Sequence, residues 1–297
     1  MTKEKINLHT HSSFSDGKNT AEEHILNAIQ KGFTVLGFSE HSLFPLDPAF
    51  YYHVDSNWHM VPQSFTEYAA TIKELKHKYE DRIKILTGFE ADYFCAPGIG
   101  NAVPDKKAYA QFEPDYLIGS VHFISKDNDF FTVDHKVEIV QQNLIRFYGR
   151  PDGTIDGKAV VCDYFEAERE MLRKGDFEII GHPDLIRLRN GPLKFFDENE
   201  SWYKEQIKLT AKAIAAAGVI AEMNTGAIGR GLMDDVYPST QFLDYLKEQG
   251  VPVCINSDAH KAELLDAGFD YAVQKLQRAG YKEITYPVEG KLVHIEL

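Results

Sequence analysis

Seven short apolar runs recur along the 297-residue chain, and stretches with helical periodicity separate most of them. The runs are Ile6–His9, Val35–Ser39, Ile83–Phe89, Tyr116–Val121, Phe177–Gly181, Val219–Met223 and Val251–Asn256. They are rich in β-branched and aliphatic residues and are bounded by turn residues or helices, which is the pattern of short buried strands. A helix is expected behind Thr20, which forms a capping box with Glu23, and others near 65–79, 136–147, 158–173, 201–217, 239–249 and 263–278. Strands alternating with helices predict a parallel sheet. Seven right-handed βα units close more naturally into a barrel than into an open sheet when the polar residues of interest all fall at strand C-termini. The expected fold class is therefore α/β, a single-domain, TIM-like (β/α)7 barrel over residues 1–297. Insertions are expected near 43–62, 97–104 and 126–156, and Leu292–Glu296 reads as a terminal strand beside the barrel.

Composition excludes several function classes. Forty-five acidic residues outnumber 32 basic ones, for a net charge of −13, and no basic run interrupts them. Nucleic-acid affinity comes largely from Lys and Arg neutralising phosphates, so a long nucleic-acid partner is disfavoured. No segment has the ~18 uncharged apolar residues of a membrane span or the core of a signal peptide, which predicts a cytoplasmic protein with no membrane partner. Cys95, Cys162 and Cys254 are isolated and lack CxxC spacing, so they read as buried small hydrophobes rather than a disulfide framework or a thiolate zinc site. An acidic chain also repels small anions, so phosphate chemistry would need a local positive centre.

Such a centre is encoded at the strand ends. His9 and His11 share an i, i+2 spacing, so on extended chain both imidazoles point the same way, and Asp16 follows in the next loop. The second run delivers His41, the third Glu90, the fourth His122 and the fifth His182, while the last closes with Asp258 and His260, again at i, i+2. A single histidine in such a place is usually hydrogen-bonded structure. Here six of the twelve histidines fall at strand ends in one register. Six imidazoles and three carboxylates suit zinc, manganese or iron and exceed what one ion needs, so two or three divalent transition metals are expected, with at least one bridging carboxylate. Those cations would outweigh the ligand carboxylates and supply the positive floor. The remaining histidines are His24, His53, His59, His77, His135 and His294; His59 and His135 lie in insertions and are read as surface residues rather than substrate contacts.

The set His9-x-His11, Asp16, His41, Glu90, His122, His182 and Asp258-x-His260 resembles the polymerase and histidinol phosphatase (PHP) superfamily of metal-dependent phosphoesterases, across nearly the whole chain. Ser-Asp-Gly at 15–17, Gly-His-Pro-Asp at 181–184, Glu-Met-Asn-Thr at 222–225 and Asn-Ser-Asp-Ala-His at 256–260 look most like its histidinol-phosphate phosphatase branch. The resemblance implies a distorted (β/α)7 barrel with a trinuclear site. It also implies hydrolysis of L-histidinol phosphate to L-histidinol and inorganic phosphate, a late step of histidine biosynthesis. Carried over by position, His9, His11, Glu90 and Asp258 would hold one metal, and Glu90 would bridge to a second held by His122 and His182. Asp16, His41 and His260 would hold the third. Asp258, His260 and Glu90 are the candidate catalytic residues.

Arg187 and Arg230 are candidates for direct phosphate contact because a guanidinium matches that geometry, and Ser39 is a weaker one. Glu222 and Asn224 decorate the one strand without a candidate ligand, so they either face substrate or brace a ligand histidine. Carboxylates in the inserted loops are candidates for the substrate imidazole and amine, with none singled out. Alternative substrates are a nucleotide, a sugar phosphate or a DNA end, and the lack of a basic groove argues against the last. A non-catalytic metal-storing relative would show lost ligands, and an amidohydrolase-like site would place a lysine at a strand end; neither sign is present. Oligomeric state is not legible.

Overall fold

A computed structural model describes residues 4–44 and 57–297. Seven parallel strands pair in the order β1 (Ile6–Asn7), β2 (Val35–Ser42), β3 (Lys84–Asp92), β6 (Tyr116–Ser120), β9 (Ile179–Ile180), β10 (Ile220–Asn224) and β11 (Val253–Asn256). The sheet curls until its edges meet: Thr10 bridges Ala259 in parallel sense, His11 N donates to Ala259 O at 3.0 Å, and Leu8 N donates to Asn256 Oδ1 at 2.8 Å. The result is the nearly closed α/β barrel expected from the strand rhythm.

Helices α1 (Ala21–Gln30), α2 (Ser64–Lys78), α3 (Val137–Tyr148), α4 (Gly157–Lys174), α5 (Ser201–Ala217), α6 (Thr240–Glu248) and α7 (Phe269–Arg278) lie between or after these strands. Helix α1 starts at the capping box read from Thr20 and Glu23. The helix expected over 263–278 is broken: a 3-10 turn covers Ala262–Leu264, and α7 begins only after Gly268, whose φ of 78° no helix accommodates. No helix among the described residues is long and apolar enough to cross a membrane.

The segments read as insertions carry small elements of their own. β4 (Phe94–Ala96) pairs with β5 (Gly100–Ala102), and β7 (Phe123–Lys126) pairs with β8 (Asp129–Thr132), both antiparallel. The first insertion, 43–62, lies partly outside the described residues, and so does His53. β12 (Glu283–Val288) and β13 (Lys291–Glu296) form a separate hairpin, tied to the barrel where the Tyr286 hydroxyl donates to Ile255 O at 2.7 Å.

Barrel filling depends on Tyr116. Its ring lies against Gly37 and Gly88, where an added Cβ would come within 2.9 Å and 2.4 Å of ring carbons, and its hydroxyl donates to Leu8 O at 2.5 Å. One aromatic on β6 thus reaches β2, β3 and the end of β1, because two glycines leave it the room.

Candidate metal centre

The polar residues sit where the ladders stop. His9, His122, His182 and Asp258 each lie two residues beyond the last strand residue, whereas His41 and Glu90 are register partners on the longer β2 and β3. His182 and Asp258 adopt positive φ, 24° and 47°, which non-glycine residues seldom do. Strain of this kind concentrates at functional sites, where surrounding structure holds it in place.

All nine residues converge at this end of the barrel. Glu90 is at the centre: its Oε2 lies 3.2 Å from His9 Nε2, 3.4 Å from His11 Nε2 and 2.7 Å from His41 Nδ1. Its Oε1 lies 2.8 Å from His182 Nε2 and 3.6 Å from His122 Nε2. Asp258 Oδ1 is 3.3 Å from His11 Nε2, and Asp16 Oδ1 is 3.1 Å from His260 Nε2 and 3.7 Å from His41 Nε2. Donor atoms gather within 4.8 Å of one another in three overlapping sets, His9–His11–Glu90, His41–Glu90–His122 and His11–Asp16–His41–His260.

These residues fit metal ions, because several of their inward-facing polar atoms lack hydrogen-bond partners. His9 Nε2, His11 Nε2, His41 Nδ1, Asp16 Oδ1 and Glu90 Oε2 are all buried and none is aligned in a hydrogen bond, although opposite-charge partners stand close by. Buried polar atoms are almost always satisfied, so lone pairs converging without aligned protons point to a cation. Charge in the cluster is shared between carboxylates and imidazoles: burial lowers His9 and His41, but Glu222 and Glu90 at His9, and Glu90 at His41, outweigh it and raise both. Burial would raise Glu90, but His9, His41 and His122 hold it well below the usual carboxylate range. Asp258 is likewise held low against burial, by Arg230 and His9. Burial, with His41 and His260 nearby, pushes His11 well below its usual range and keeps it neutral.

A second layer orients this set. Glu222 accepts from His182 N at 2.9 Å and from Asn256 Nδ2 at 2.9 Å, and its Oε1 lies 2.7 Å from His9 Nδ1. Asn224 Nδ2 donates to Glu222 at 2.9 Å. The strand without a candidate ligand therefore braces those of its neighbours. Sequence reasoning missed two members. Asp92 meets His122 Nδ1 through one oxygen and His59 Nε2 through the other, each at 2.5 Å. Burial lowers His122, but Asp92 and Glu90 outweigh it and push it up to about 10. His59 is buried, not a surface residue, and Trp58 packs on it at a 32° tilt with centroids 3.7 Å apart. Glu40, also missed, accepts from Ser12 N at 2.9 Å and from the Ser12 and Ser15 hydroxyls, and so ties down the loop that carries Asp16.

A cleft of 610 Å³ opens above the centre, within the size range of small-molecule sites. Arg230 lines it, with Nη2 3.1 Å from Asp258 Oδ2 and Nη1 3.2 Å from His260 Nδ1. Arg187 does not: its guanidinium is buried and spent on Glu198 at 3.0 Å, Asp235 at 2.9 Å and Val236 O at 3.1 Å. Its neighbour Arg189 lines the cleft instead. Ser39 is also displaced from the expected role, because it is buried with its hydroxyl accepting from Thr10 N at 3.1 Å. His135 lines the cleft and is exposed.

The chain is similar to known proteins over most of its length. A probable histidinol-phosphatase of Schizosaccharomyces pombe is 28% identical over 296 residues, covering 96% of this chain and 90% of that protein. The fold matches a histidinol phosphatase candidate from Listeria monocytogenes with a TM-score of 0.75 and 20% identity, covering 90% of this chain and 99% of that one. It also matches the Lactococcus lactis histidinol phosphate phosphatase, solved with zinc, L-histidinol and phosphate, with a TM-score of 0.67, 20% identity and coverage of 98% and 99%. The PHP domain model matches residues 7–226, so β1 from Asn7 onward, the next five barrel strands and seven of the nine converging residues fall inside it, and the chain belongs to the PHP domain family.

Proposed function

We propose that this chain is a metal-dependent phosphomonoesterase that hydrolyses L-histidinol phosphate to L-histidinol and inorganic phosphate. The observation that carries the proposal is the convergence of six imidazoles and three carboxylates beneath a cleft lined by Arg189 and Arg230. Support for the substrate comes from the relatives, which are named for this activity, and from the L. lactis protein solved with histidinol and phosphate.

His9, His11, Glu90 and Asp258 would hold one metal, Glu90, His122 and His182 a second, and Asp16, His41 and His260 a third; zinc, manganese and iron all suit these donors. Bound there, divalent ions supply a nucleophile at neutral pH and charge for the phosphate oxygens. Arg230 and Arg189 seat the phosphate from the open side of the cleft, and Arg230 also fixes Asp258. Asp258 takes the proton of the attacking water as the new P–O bond forms and the ester P–O bond breaks. With His260 beside it, it returns a proton to the departing alkoxide.

Phosphate release from L-histidinol phosphate, nucleoside monophosphates and sugar phosphates tests the reading, with metal content determined on the same preparation. A clear preference for histidinol phosphate that disappears on chelation is expected. Equal rates on all esters, or preference for a nucleotide, would overturn the substrate. Asp258→Asn should lower kcat at least about 10²-fold with metal retained; near-normal turnover would remove Asp258 from proton transfer.

A further inference from the structure

Four carboxylates line the cleft, and three of them are spoken for or turned to solvent. Asp16 faces His260 and His41, Asp258 is held by Arg230, and Glu263 is exposed. The fourth, Asp134, is half-buried and makes no ion pair or side-chain hydrogen bond among the described residues. Its position is nevertheless fixed. Arg189 clamps the backbone on which it sits, with Nη2 donating to Asp134 O at 2.6 Å and Nε to His135 O at 2.6 Å. The charge of Asp134 acts on His122, Arg189 and Arg230, which sets it at the edge of the phosphate end of the cleft. Leu185, Leu188 and Leu232 supply an apolar wall in the same cleft.

Among the described residues, Asp134 is the one carboxylate lining the cleft that is neither exposed nor held by an ion pair or side-chain hydrogen bond, so its oxygens are open to a cationic group of a ligand. The cleft therefore combines an anion-binding floor, an apolar wall and one uncommitted negative charge. A molecule that satisfies all three is a phosphomonoester whose alcohol carries a flat or apolar group and a cationic nitrogen. We propose that Asp134 is the specificity determinant that receives the cationic nitrogen of the substrate, so that the enzyme selects amino-alcohol phosphates over neutral ones. The inference rests on the phosphomonoesterase reading and deepens it by assigning the amine end of the substrate.

The test compares the metal-loaded wild type with Asp134→Asn, Asp134→Ala and Asp134→Glu on four esters. L-Histidinol phosphate and O-phosphoethanolamine carry a cation; glycerol 3-phosphate and p-nitrophenyl phosphate do not. Asp134→Asn and Asp134→Ala should lower kcat/KM about 10- to 100-fold on the two cationic esters, the loss of one charge-assisted hydrogen bond, and chiefly through KM. The two neutral esters should change at least about 5-fold less, since the charge of Asp134 reaches His122, Arg189 and Arg230 on every substrate, and Asp134→Glu should recover part of the loss. Equal losses on all four esters would overturn the proposal, because Asp134 would then be acting on the arginines or the metal ligands. Unchanged rates on the cationic esters would overturn it as well. A wild type that does not favour histidinol phosphate over phosphoethanolamine would sink the substrate named above, while a loss confined to cationic esters would still uphold Asp134.

Discussion

His122 has the most closely tied side chain in the centre, held by a carboxylate that a second imidazole holds in turn. A carboxylate behind a ligand imidazole fixes its tautomer and raises its basicity, and losing such a partner typically costs 10- to 100-fold in metal affinity. Asp92→Asn should therefore weaken metal binding by about that factor in competition with a chromophoric chelator, while circular dichroism stays native. His59→Asn should have a smaller effect than His59→Leu, because an amide can still donate to Asp92; equal effects would show that His59 only fills space. At this scale the sequence reveals what local geometry decides. The i, i+2 pairs His9/His11 and Asp258/His260 share a face whatever the rest of the chain does. Asp92 and His59 could not be read, since they are 33 residues apart and meet only in the folded chain. The exchange of Arg187 for Arg189 has a similar cause: the 3-10 turn Leu185–Arg187 directs Arg187 inward, and a two-residue shift around such a turn is invisible before the turn is known.

The elements add their own tests. Gly88→Ala places a methyl group 2.4 Å from a ring carbon of Tyr116, a clash no rotamer of alanine avoids. Overpacking of this kind should cost about 1–3 kcal/mol in denaturant unfolding, and Tyr116→Leu in the same chain should recover part of it; additive losses would refute the contact. Helix α4 carries a different strain. Burial pushes the Glu168 carboxyl well above the usual carboxylate range, Tyr164 offsets part of that, and Asp184 adds to it. Because its folded pKa is raised, Glu168 contributes stability that is complete below its unfolded pKa of about 4.3 and is lost as pH rises through the folded value. Glu168→Gln mimics the neutral form, so its melting temperature should fall less than that of the wild type between pH 5 and 9. Parallel curves would contradict the assignment. Strand and helix positions were largely legible here, because apolar runs and caps are local signals. The failure at 263–278 came from Gly268, where a helical pattern continued through a residue that adopts left-handed backbone.

Across the whole molecule, charge poses the problem and the barrel solves it. A chain of net charge −13 disfavours anions everywhere except where cations are concentrated. The barrel brings nine donor groups from distant parts of the chain to one end, and Arg189 and Arg230 complete the positive rim. Because these donors are buried together, metal should also support the fold. Stripped protein should melt at a lower temperature, and metal at 100 times its Kd should restore about 2.7 kcal/mol for each site filled. The most direct measurement is a metal titration of the stripped protein, with phosphate release from L-histidinol phosphate as the readout. The account predicts no release at the start, a rise that saturates only after two to three equivalents per chain, and a stoichiometry matched by bound metal. Full turnover after stripping, or saturation at a single equivalent, would contradict a multinuclear centre as the seat of the chemistry.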